Sequence, residues 1–255
     1  MKNSFICIFL ISIFFFFNQT AAAQFESVKF NEALNSLPDS KESDVALKMI
    51  VSNLTNYYPA EITATIRMSY PQLPEDKTIK VMPFVREHMI ATGKDYDRVK
   101  LIAGKLLKFM NLQDRIRVIY FESEVPVTAF TYPFALCVSS AAATLLNDEE
   151  LEAVLSHEIM HLIVYPNFKS AIENNNLKEL RAIELFCDGG AISILEARGR
   201  NSENLISGLE KMQSLLEKVN NDAEDGLKHP TLKQRRSFHK QLTQRFNLAM
   251  NRAAK

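Results

Sequence analysis

Apolar residues recur at helical spacing through most of the chain. In "SDVALKMIVSNL", Val45, Met49, Ile50 and Leu54 fall on one helical face. Pro38, Pro59, Pro71 and Pro74 break the surrounding stretch into short helical segments. From Lys77 to Met110 the same spacing predicts one helix carrying Val85, Met89 and Ile90, then another carrying Val99, Ile102, Leu106 and Leu107. The helical period then gives way to alternation. In "RIRVIYFES", Ile116, Val118 and Tyr120 alternate with Arg115, Arg117 and Ile119, which predicts a strand. "VTAFTYPFALCVSS" continues in the same style, with Pro133 marking a turn or an edge. A sheet of two to four strands is expected here.

Asn147 opens the next helix. Its side chain can cap the first turn while Glu150 reaches back, a variant of the capping box, and Asp148, Glu149 and Glu150 suit the positive helix N-terminus. This helix is predicted to run to about Tyr165, stop at Pro166 and give way to a polar loop, "NFKSAIENNN". A second helix follows over Leu177–Arg198, and a third over Ser202–Val219 with Leu205, Leu209, Met212 and Leu216 on one face. A loop ending in His229-Pro230 leads to a basic C-terminal helix, whose "KQRRSFHKQLTQR" run is expected to be a solvated face. The pattern as a whole is that of a mostly helical α+β fold with a small sheet packed on the helix that Asn147 opens.

Composition narrows the class. The 255 residues are 47% hydrophobic and 24% charged, which suits a globular core, and 30 basic residues balance 30 acidic ones. Such neutrality excludes a duplex-DNA binder with a broad basic face, so no nucleic-acid partner is expected. Lys2, the apolar run Ser4–Phe17 and Ala21-Ala22-Ala23 read as a secretory signal peptide over 1–23. The run is too short for a spanning helix, and no later segment predicts a transmembrane helix. The chain is therefore expected in the periplasm or secreted. Cleavage would remove Cys7, leaving Cys137 and Cys187, which could form one disulfide but read first as two buried thiols. Asn53-Leu54-Thr55 forms a glycosylation sequon, and His88 and His239 are expected to be solvated.

The candidate chemistry lies in "LSHEIMHLIVY". An i, i+4 pair shares a helix face, so His157 and His161 can aim two imidazoles at one metal ion. Glu158 lies roughly 100° round the helix, placed to hold a water as a general base rather than to ligate. Apolar flanks bury this helix nearly all round, and buried histidines need partners. "ELRAIELFCDGGAISIL" supplies them. Glu184 would complete a two-histidine, one-carboxylate site with an open position, and Asp188, one turn on, would accept the spare N–H of His157. Gly189 and Gly190 cost helix stability, which close approach of the His157 helix would explain. Glu179 and Arg181 lie on another face and are expected to be solvated.

"VLSHEIMH", then "IELFCD", then "HPTLKQR" resembles the gluzincin zinc metallopeptidases of the CAAX prenyl endopeptidase and HtpX-like quality-control type, over residues 80 to 245. The preceding "AFTYPFALCVSSAAATLLNDEELEAVL" is similar to that family's strand–turn–helix. Thr128 stands where the family often has asparagine, and Cys187 where alanine is common. The 22 residues between His161 and Glu184 are fewer than in members with membrane helices inserted there.

The resemblance implies a zincin-like metallopeptidase domain over 78–255, after a helical segment over 24–77, with one Zn2+ per chain. It implies an endopeptidase acting on unfolded or misassembled envelope or secreted proteins, bound extended along an edge strand around Val127–Val138. His229 could stabilise an oxyanion, swing onto the metal and hold the enzyme latent, or merely open a helix. Arg235 could orient that loop or be surface charge. The rival class is a non-catalytic zinc-binding holdase, whose site would be closed by four protein ligands.

Overall fold

The computed structural model describes residues 83–125, 128–132, 135–162, 164–219 and 229–253. The expected signal peptide, the helical segment over 24–77 and the Asn53 sequon lie outside the described residues. In chain order the elements are α1 (Pro83–Glu87), α2 (Lys94–Phe109), β1 (Arg117–Phe121), β2 (Thr128–Tyr132), β3 (Ala135–Ser139), α3 (Ser140–Leu145), α4 (Asp148–His161), α5 (Tyr165–Glu173), α6 (Leu177–Ala197), α7 (Glu203–Val219) and α8 (Leu232–Ala253). The fold is α+β and mostly helical. No helix of the described residues is long and apolar enough to cross a membrane.

The sheet has the order β1-β3-β2, with β1 parallel to β3 and β2 antiparallel to it. Strict alternation sorts its side chains. Tyr120, Leu136 and Val138 enter the main core between the sheet and the helices, whereas Ile119, Phe121, Ala135 and Cys137 form a second cluster with Val85. Two sequence expectations change here. Met89 and Ile90 do not continue a helix from Val85: Met89 bridges Phe121 and the Ile90 N–H donates to Tyr120 O at 2.9 Å, which covers the outer side of β1. The stretch Val127–Val138 is not one edge strand. β3 is the paired centre of the sheet, so among the described residues β2 alone keeps an open edge.

Helix α4 is the hub, packed against α2, α6, α7 and the strands β2 and β3. Its N-terminus is the predicted capping box. The Asn147 side chain accepts from the Glu150 N–H at 2.8 Å, and Glu150 Oε2 accepts from the Asn147 N–H at 3.0 Å. Glu150 is also buried against α7, accepting from Ser207 at 2.6 Å and Lys211 at 2.7 Å. Glu152 pairs with Arg198 at 2.6 Å, tying α4 to the end of α6. Leu151, Leu155, Ile159 and Met160 are fully buried, each worth roughly 1.5–3 kcal/mol relative to exposure.

The helix ends at His161, four residues short of the predicted Tyr165. Pro166 does not stop it. The proline sits in the first turn of a separate helix, α5, where its missing N–H has no partner to lose. The segment predicted as a polar loop is therefore mostly helical, and it packs on α6.

Candidate metal centre

Three elements bring the site together: α4 carries His157, Glu158 and His161, α6 carries Glu184 and Asp188, and the turn into α8 with its first turns carries His229 and Arg235. The close approach of α4 and α6 is what glycine permits. A Cβ at Gly190 would lie 2.2–2.6 Å from Met160 side-chain atoms, inside contact distance. This is the reason expected for a glycine in that helix.

His157, His161 and Glu184 converge. The two Nε2 atoms are 3.1 Å apart, His157 Nε2 is 3.5 Å from Glu184 Oε2, and His161 Nε2 is 3.5 Å from Glu184 Oε1. Ligands about 2.0–2.1 Å from a tetrahedral ion would be separated by roughly 3.3 Å, so these distances are those of three corners around one cation. All three side chains are buried, and together they could hold a metal ion. The donors, two imidazoles and one carboxylate, are of the kind that hold divalent transition-metal ions.

The electrostatics agree with the geometry. Two imidazole nitrogens at 3.1 Å need either a proton or a cation between them. Burial pushes His161 down to about 4, Glu184 notwithstanding. Burial opposes charge on His157 too, but the adjacent Asp188 and Glu184 carboxylates outweigh it and raise that group to about 10. Glu184 is held well below the usual carboxylate range against its own burial, first by the His229 charge and then by His157. One imidazole thus takes the proton and the other stays neutral. A metal ion and that proton compete for the same lone pairs.

Asp188 stands where its spacing predicted, with Oδ1 at 2.9 Å from His157 Nδ1. His157 Nδ1, His161 Nδ1 and Asp188 Oδ2 are buried without a hydrogen-bond partner among the described residues. His229 is half exposed, with Nδ1 3.3 Å from Glu184 Oε2. Arg235 is no surface charge: it is 5% exposed and pairs with both Asp188 and Glu184. Glu158 is half-buried, and from Glu150 to Leu162 every other residue is buried.

Two expectations outside the centre also meet the structure. Cys137 and Cys187 are buried and not joined in a disulfide, and burial, followed by the neighbouring Glu184, Asp188 and Glu158 charges, pushes the Cys187 thiol well up. His239 is not solvated. It is buried, 2.9 Å from Ser202 Oγ and 3.2 Å from Glu203 Oε1, where it joins α8 to the start of α7. The signal that could have placed it is the spacing Arg235, Phe238, His239, Leu242, which is one helix face.

Searched against protein-family models and against curated proteins, the chain finds no match.

Proposed function

We propose that the protein is a zinc-dependent endopeptidase with a zincin-like domain of the gluzincin type. One observation carries this reading. On a helix whose central residues are otherwise buried, the half-buried position is Glu158, next in sequence to the first of two imidazoles that converge on a third ligand. A structural site closed by four protein ligands would have no use for that carboxylate, whereas three ligands leave room for water and a substrate carbonyl.

His157, His161 and Glu184 would hold the ion. A zinc ion there would supply Lewis acidity, acidifying water towards neutrality and polarising the scissile carbonyl. Glu158 takes the proton of the attacking water and returns it to the departing amine. Asp188 holds His157 by its Nδ1, keeping Nε2 turned to the centre. His229, half exposed beside Glu184, is the group we assign to the developing oxyanion. The open side of β2, a strand that packs on α4, offers backbone groups to an extended polypeptide as an added strand. Together with the signal-like N-terminus, this favours unfolded or misassembled envelope or secreted proteins as substrates.

The test is cleavage of an unfolded reporter protein by the zinc-loaded protein beside Glu158→Gln. The reading expects cleavage by the parent and none by a variant that still binds one zinc. Activity surviving the substitution would remove Glu158 as the base. Zinc binding without cleavage by either protein would favour the non-catalytic holdase.

A further inference from the structure

Glu184 and Asp188 lie one turn apart on α6, 5% and 1% exposed. Two like charges at that spacing repel, and the repulsion is stronger away from water. One cation that offsets them comes from a different helix. Arg235 of α8 donates through Nη1 to Asp188 Oδ1 and through Nη2 to Glu184 Oε2, the second at 2.9 Å. Each arm of the guanidinium thus takes a different carboxylate, rather than both arms gripping one.

The consequences reach the ligands. Asp188 Oδ1, fixed by one arm, is the oxygen 2.9 Å from His157 Nδ1. Glu184 Oε2, fixed by the other, leaves Oε1 turned to His161 Nε2 at 3.5 Å. Accepting the metal-centre reading above, we propose that Arg235 is a positioning residue of that centre. Its two-armed hold sets the ligand carboxylate and the His157 ring together, so that α8 completes a site whose ligands come from α4 and α6. The flat fork is what the role needs. A lysine would keep the charge but offers a single ammonium that cannot span both carboxylates in fixed geometry.

The experiment is zinc affinity by chelator competition, with the cobalt(II) absorption spectrum as a report on ligand geometry. The parent is compared with Arg235→Lys and with Phe238→Leu. Phe238 is fully buried on α8 and touches none of the carboxylates through a polar group, so its variant loosens the same helix without disturbing the hold. Arg235→Gln serves if the lysine variant does not fold. The expected result is one zinc per chain in the parent and an affinity about 10–100-fold weaker in Arg235→Lys, with a changed cobalt spectrum. Phe238→Leu keeps the parent's affinity and spectrum. Undiminished binding by Arg235→Lys overturns the proposal, as does an equal loss in Phe238→Leu, which would reduce the arginine to a helix-docking contact. A parent that binds no zinc overturns the metal centre itself along with it.

Discussion

Two glycines, each inside a helix, should answer the same substitution with opposite signs. At Gly104, on the exposed side of α2, a Cβ would meet nothing within 4 Å. Alanine there gains helix propensity, so Gly104→Ala should stabilise the fold by about 1 kcal/mol. Gly190 faces the fully buried Met160, whose Cε, Sδ and Cγ would lie 2.2, 2.5 and 2.6 Å from the added carbon. Rotating the methionine tip relieves only the first of these. Cγ sits near the root of the side chain, so relief there requires a χ1 change or a shift of α4 itself. Overpacking of this kind costs roughly 1–3 kcal/mol, and the severity of the contacts places this site in the upper part of that range. Subtracting the propensity gain of about 1 kcal/mol leaves Gly190→Ala destabilised by about 1–2 kcal/mol. For a domain of this size that is a fall in Tm of roughly 2–8 °C. Urea midpoints of the two variants measure both signs in one series. Met160→Ala in the Gly190→Ala background should cost less than in the parent, a coupling of about 1 kcal/mol or more. An increase in stability for Gly190→Ala, or strict additivity with Met160→Ala, would refute the close approach of α4 and α6 that brings His157, His161 and Glu184 together.

Other outcomes follow from single contacts. Asp188→Asn, which weakens the hold on His157 Nδ1, should leave one zinc per chain and reduce affinity about 10–100-fold in chelator competition. Glu150 is pulled below the ordinary carboxylate range: burial opposes its charge, but hydrogen bonds from Lys211, Ser207 and the Asn147 N–H outweigh that. The unfolded chain therefore binds a proton there at higher pH than the folded chain. The stability this group contributes is complete above the ordinary range and lost as pH falls through it towards the folded value. Glu150→Gln should accordingly cost roughly 1–3 kcal/mol at neutral pH, and its deficit relative to the parent should shrink as pH falls through and below the ordinary carboxylate range. Cys137 and Cys187 should both react with a thiol reagent in denaturant and neither in the native protein; protection that persists after unfolding would mean a disulfide.

Much of the centre was legible because its rules are local. The i, i+4 spacings of His157 with His161 and of Glu184 with Asp188 fix which side chains share a face, whatever the rest of the chain does. The capping box at Asn147 and Glu150 is equally local, and Gly190 was readable because a helical glycine needs a packing reason. The failures were tertiary. Pro166 is compatible both with ending a helix and with starting one, and only the stop of α4 at His161 decides between them. Charge hid the burial of Arg235 and His239. "KQRRSFHKQL" looks solvated by composition, yet the face carrying Arg235, Phe238, His239 and Leu242 is buried because α6 and α7 offer it carboxylates and a hydroxyl. Glu150 reads as helix-end charge, yet it is buried where Lys211 meets it from α7, and Glu152 is buried against Arg198, the residue capping α6.

The central claim is a three-ligand metal centre with an open position, and X-ray absorption spectroscopy of the zinc-loaded protein tests it most directly. The account predicts one zinc per chain, two imidazole nitrogens at about 2.0–2.1 Å, one carboxylate oxygen and a further light atom not supplied by the chain. Loss of the imidazole signal in His157→Ala and in His161→Ala should go with loss of the metal. Four protein ligands around the ion, or zinc bound with no imidazole in its shell, would contradict it.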